Sequence, residues 1–149
     1  MQGGNSGISD VVNRVKEKAR ECPNMKFALV GYSQGGMVVS SAFGKIPIDL
    51  HPKVVAMVLY GSGKGDVSKS TEISQKTLAN CAPNDMVSFN GWLKRFYLLT
   101  PLQCGTPSGA AGHFTYGSTG TSWHTRSAQY IASAFHGRPQ GYKLYLSPR

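Results

Sequence analysis

A serine stands between two glycines in Gly31-Tyr32-Ser33-Gln34-Gly35, directly after the apolar run from Phe27 to Val30. Gly-x-Ser-x-Gly at the end of a hydrophobic strand marks a sharp strand-to-helix turn that presents the serine hydroxyl at its tip. Glycines are expected two positions either side, because side chains there would collide with neighbouring backbone. A serine hydroxyl is a weak nucleophile until a base takes its proton, and the base needs an acid to hold its tautomer. On such a turn the chain order should be serine, acid, histidine. Of the four histidines, His51 comes before the acid candidates, and His124 and His136 lie in or at the end of the last helical segment. His113 sits in the glycine-rich stretch "AAGHFTYG", where a base reaching back over a sheet is expected. Asp85, in "NCAPNDMV", lies between Ser33 and His113, and Asp66 is a rival acid.

The elements that must carry these residues follow from apolar spacing. Ile8, Val11, Val12, Val15 and Ala19 keep helical spacing between Lys and Arg, which predicts an amphipathic helix over 8–21, stopped by Pro23. "KFALVG" from Lys26 reads as a buried strand, and "QGGMVVSSAFG" from Gln34 as a helix packed across a sheet. "KVVAMVLYG" from Lys53 is continuously apolar and β-branched, the pattern of a central parallel strand covered on both faces. "KTLANC", ending at Cys81, reads as a third strand. Trp123, Ser127, Tyr130, Ile131 and Ala134 predict a last helix over 122–135, followed by a polar tail from Gly137. Strands alternating with helices make a three-layer α/β/α sandwich on a mostly parallel sheet, a single domain over 1–136 with the tail at 137–149.

Composition narrows the function classes. The 149 residues are 40% hydrophobic and 15% charged, enough for one core, and runs such as Val54 to Tyr60 are too short to cross a bilayer. Sixteen Lys+Arg against 7 Asp+Glu leave a formal net charge of +9, which favours polyanionic surroundings. The basic residues are scattered apart from Arg14, Lys16, Lys18 and Arg20, with no RNA-binding aromatic signature, so no specific nucleic-acid partner is expected. Cys22, Cys81 and Cys104 have no zinc-ligand spacing, and no metal or cofactor is called for. "YGSGKGD" fails as a nucleotide loop. A Walker loop would need a glycine where Val58 stands and a hydroxyl residue at Gly65, and a dinucleotide fingerprint would need a glycine where Asp66 stands.

Taken together, "CPNMKFALVGYSQGG", "KVVAMVLYG", "CAPNDMV" and "GHFTYG", in that order, resemble the cutinase family of serine esterases, which also contains acetylxylan esterases. The resemblance runs from about Gly7 to Phe135. It implies an α/β-hydrolase fold, Ser33 as nucleophile, Asp85 as acid, His113 as base, and the backbone N–H of Gln34 as one half of an oxyanion hole. It also implies a disulfide between Cys81 and Cys104, a secreted monomer, and cutin-type polyester, a short acyl ester or acetylated xylan as substrate. Two departures stand out. The family's N-terminal section, with its first sheet strand, second oxyanion donor and a cysteine partner for Cys22, has no counterpart here. The stretch Ser88 to Gln103 also separates Asp85 from Cys104, and reads either as an apolar lid or as translated non-coding sequence. An inactive, basic wall-binding protein is the alternative from another class.

Overall fold

The computed structural model describes residues 2–62, 71–82, 85, 111–118, 122–138 and 141–145. Helix α1 (Gln2–Glu21) leads into strand β1 (Phe27–Tyr32), and the elbow at Ser33 opens helix α2 (Gln34–Phe43). A 3₁₀ turn (Ile48–Lys53) precedes β2 (Val54–Tyr60), then the short α3 (Thr71–Ser74), β3 (Thr77–Asn80), α4 (Trp123–Phe135) and β4 (Lys143–Tyr145). The four strands lie in the order β1-β2-β3-β4, every neighbouring pair parallel.

The layers follow from which side chains each strand turns to which face. Leu29, Met57 and Leu59 of the sheet bury themselves against Val15 of α1 and Val39 and Phe43 of α2. Ala56, Val58 and Leu78 bury themselves against Tyr130 and Ala134 of α4 on the opposite face. Apart from its two half-buried members Val55 and Tyr60, β2 is buried along its length, as its unbroken apolar sequence predicts for a strand covered on both sides. Leu59 and Leu78 are 1% and 0% exposed, and truncating either to alanine should cost about 2–5 kcal/mol.

Helix α1 begins six residues before the expected Ile8, running through Gly3, Gly4 and Gly7. Glycine is a poor helix former, but at Gly7 a methyl would lie 3.3 Å from Val38 Cγ1, so the glycine lets α1 approach α2 closely. Val15 and Ala19 are buried, and Val11 and Val12 pack against the core, as the spacing predicts. On α4 the expected stripe is also inward: Trp123, Ser127, Tyr130 and Ala134 are buried.

The polar tail expected from Gly137 contains a further strand. Lys143–Tyr145 forms β4, with Ala79 opposite Leu144 and Asn80 opposite Tyr145. Three half-buried residues without a long apolar alternation carry little strand signal by themselves. The strand forms because β3 offers an open ladder, because Tyr130 Oη donates to the Gly141 carbonyl at 3.0 Å, and because the Arg126 guanidinium lies 4.5 Å from the Tyr145 ring centre.

Register aligns the strand ends. Tyr32, Tyr60, Asn80 and Tyr145 stand opposite one another in sequence, forming one row at the carboxyl ends of the four strands. The ladder continues one step further, with Ser33 N–H donating to Tyr60 O at 2.8 Å and Gly61 N–H to Asn80 O at 3.1 Å. Ligand sites of open α/β sheets gather beyond the carboxyl ends of their strands.

Candidate active site

Ser33 sits at φ 55°, ψ −126°, and is the sole non-glycine residue with positive φ among those described. Holding an L-residue there costs on the order of 1–3 kcal/mol, tolerated because the ladder to β2 clamps one side and α2 starts on the other. Gly31 is indispensable: a Cβ there would lie 2.5 Å from Gly35 O and from Gly36 Cα. Gly35 differs from expectation, since a Cβ on it would meet nothing within 4 Å. The close approach falls instead on Gly36, whose Cβ would lie 2.1 Å from Ser62 Oγ. Gln34 is the first residue of α2, and the first turn of a helix leaves backbone N–H groups without intrahelical partners, so its N–H can serve an anion.

Asp85 and His113 lie 28 positions apart in sequence, and His113 Nδ1 bonds Asp85 Oδ1 at 2.9 Å. Asp85 is completely buried and His113 is 5% exposed. The second carboxylate oxygen accepts from Tyr116 Oη at 2.6 Å, and the same hydroxyl accepts the Ala82 N–H at 2.7 Å. Tyr116 therefore ties the acid to the strand-end backbone that carries it. With Asp85 ionised, its Oδ1 holds the proton on Nδ1 and leaves the Nε2 lone pair as the basic site.

Tyr32, the residue before Ser33, connects the elbow to this pair. Its ring stacks on His113, and its hydroxyl donates to the His113 carbonyl at 2.8 Å. Gly61 (φ 57°) closes the other side: a Cβ there would lie 2.5 Å from Asp85 Oδ2, 2.8 Å from Tyr116 Cε2 and 3.0 Å from His113 Nδ1. Neither Tyr116 nor Gly61 was assigned a role from sequence. Tyr116 lies within "GHFTYG", three residues after His113, and Gly61 directly follows β2, so position relative to the motifs was the available signal.

The remaining candidates fall elsewhere. His51 is a structural residue, its ring nitrogens facing Ile46 O at 3.0 Å and Glu72 Oε2 at 3.1 Å. His124 is exposed on α4, with its ring edge on Tyr60. Asp66, Cys104 and the stretch 88–103 lie outside the described residues, and so does any pairing of Cys81 with Cys104; Cys22 is a free, exposed thiol. Beside His113 opens a cavity of about 380 Å³, walled by Tyr32, Tyr60, Phe114, Tyr116 and His124.

The family model for cutinases matches residues 1–98. The chain belongs to the cutinase family. Among its relatives, a cutinase of Trichoderma harzianum is 34% identical over 82 residues, covering 55% of this chain and 33% of the relative. A cutinase of Monilinia fructicola is 28% identical over 123 residues, covering 82% of this chain and 54% of the relative. The solved structure of Trichoderma reesei cutinase in complex with a C11Y4 phosphonate inhibitor superposes with a TM-score of 0.59 at 25% identity, covering 89% of this chain and 52% of that one. This member thus spans about a third to a half of the length of these cutinases. The likeness also establishes the α/β sandwich as the cutinase fold.

Proposed function

We propose that this chain is a serine esterase that cleaves carboxylic esters in two steps, with Ser33 as nucleophile, His113 as base and Asp85 as the acid that orients it. The single observation that carries the reading is the buried 2.9 Å bond from His113 Nδ1 to Asp85 Oδ1, in a loop tied by Tyr32 to the strained elbow of Ser33. Membership of the cutinase family supports the same chemistry.

In the first step His113 Nε2 takes the Ser33 hydroxyl proton as Oγ bonds to the ester carbonyl carbon. The carbonyl oxygen becomes an oxyanion, received by the Gln34 N–H; one such donor is worth about 10²–10³ in rate. The carbon–oxygen bond to the alcohol then breaks, and the alcohol leaves with the proton from His113. Water, deprotonated by His113, attacks the acyl-serine; Oγ departs with that proton and the carboxylic acid is released. Asp85 stays ionised throughout and stabilises the imidazolium. Cutin-type polyester, a short acyl ester and acetylated xylan are the substrate classes that family membership suggests. A secreted location and a Cys81–Cys104 disulfide belong to the same proposal, and mass mapping of oxidised protein linking Cys22 to either cysteine would contradict the latter. Among the described residues no helix is long and apolar enough to cross a membrane.

The test is hydrolysis of a short p-nitrophenyl ester by the purified chain. Turnover should vanish in Ser33→Ala and fall by about 10⁴ in Asp85→Asn, the size seen when the orienting acid of such a triad is lost. Turnover that survives Ser33→Ala refutes the reading. Near-normal activity in Asp85→Asn with loss in Asp66→Asn transfers the acid role to Asp66.

A further inference from the structure

We infer that the cavity beside His113 receives a planar aromatic ring, so that the preferred ester carries an aromatic acyl group; the substrate half of this inference rests on the esterase reading above. The cavity, about 380 Å³, falls in the size range of small-molecule sites, which are mostly apolar with few polar groups. Beside the parallel pair of Tyr32 and His113, its other walls are rings set steeply against their neighbours. Tyr116 meets Tyr32 at 67° with centroids 6.0 Å apart, and Tyr60 at 70° and 5.8 Å; His124 meets Tyr60 at 65° and 6.5 Å. A flat ring entering such a corner stacks on one wall and presents its edge to the next, the two arrangements that aromatic pairs favour. A flexible alkyl chain gains neither and loses rotamer freedom on entry.

The walls are also held in place. The Tyr32 hydroxyl is committed to the His113 carbonyl, and the Tyr116 hydroxyl lies between the Ala82 N–H and Asp85. These two rings are therefore held against swinging to fit an irregular chain, and they offer the cavity their faces rather than their hydroxyls. His113 is itself a wall, which sets a ring seated there beside the proposed base. No carboxylate lines the cavity among the described residues, and the exposed His124 together with the +9 charge of the chain suits an anionic product. Phe114, next in sequence to His113 and 75% exposed, extends the aromatic surface outward.

Two measurements decide it. Isothermal titration of the purified chain with trans-cinnamate and with nonanoate, acids of equal carbon number, should give saturable binding about tenfold tighter for cinnamate, the size of one favourable ring pair. Phe114→Ala and the cavity-filling His124→Trp should each weaken cinnamate binding and lower the ratio of kcat/KM for methyl cinnamate over methyl nonanoate. Should His124→Trp fail to fold, Phe114→Ala at its exposed position decides alone. Equal affinity for the two acids, absent saturation, or a ratio that neither variant moves overturns the inference. Cinnamate binding without hydrolysis of any ester supports the cavity as an aromatic site and overturns the esterase reading.

Discussion

The imidazole of His113 lies nearly parallel to the phenol ring of Tyr32, with centroids 4.9 Å apart and planes at 22°. Tyr32 is the last residue of β1 and immediately precedes Ser33, so this stack joins the loop of the proposed base to the strand of the proposed nucleophile. Tyr32→Leu removes both the stack and the hydrogen bond to His113 O, and should lower kcat/KM about tenfold while leaving the melting temperature within a few degrees. Tyr32→Phe keeps the stack and loses one part-buried hydrogen bond, about 1 kcal/mol, and should be the milder change. Equal activity of the Leu variant and the parent, measured on a short ester, would show that the stack does not position the base.

Gly61→Ala should be far more damaging than its size suggests. The residue holds φ 57°, and the added methyl would enter the space of Asp85 Oδ2 and Tyr116 Cε2. Asp85 is completely buried, so the pair must separate rather than slide into solvent. Displacement of a catalytic group by an ångström costs about 10² in rate, and kcat should fall at least that far. A crystal structure of the variant with the Asp85–His113 bond intact, together with normal kcat, would argue against this.

Tyr116→Phe deletes the hydroxyl shared by Asp85 and the Ala82 N–H. It leaves a buried carboxylate oxygen short of a donor and a buried amide without its acceptor, a loss of about 1–3 kcal/mol. Urea unfolding should report this as a lower midpoint at unchanged slope. A variant as stable as the parent would mean that water replaces the hydroxyl.

Glu72 supplies a pH-dependent contribution remote from the site. Burial acts to raise its carboxyl pKa, but hydrogen bonds from Lys76 and His51 outweigh burial and hold it below the ordinary 4.5. A carboxylate whose folded-state pKa is lowered stabilises the fold above its unfolded value, and that contribution disappears as pH falls through the lowered one. The parent should therefore lose more stability than Glu72→Gln between pH 5 and about pH 3. Parallel stability curves for the two proteins across that range would exclude the effect.

What the sequence determined by itself is local. The switch from an apolar run to a glycine-flanked serine and then to helical spacing sets β1, the elbow and α2, because backbone sterics at Gly31 and the two periodicities act within a few residues. The unbroken apolar run of β2 likewise determines a strand covered on both faces, and the stripe from Trp123 to Ala134 determines which side of α4 turns inward. Tertiary structure decided what depends on partners far along the chain. Lys143–Tyr145 has too little pattern to declare itself a strand, and becomes one because β3 leaves a ladder open. Gly35 and Gly36 look equivalent in sequence, yet only the second faces a close neighbour, Ser62, brought there by the end of β2. Tyr116, Gly61 and Asp85 converge on one point because parallel register brings the strand ends level. Hydrogen bonds between residues about thirty positions apart have no signature in local spacing. The aromatic cavity is the strongest case, since its walls come from β1, β2, the His113 loop and α4, and no one of those segments contains it.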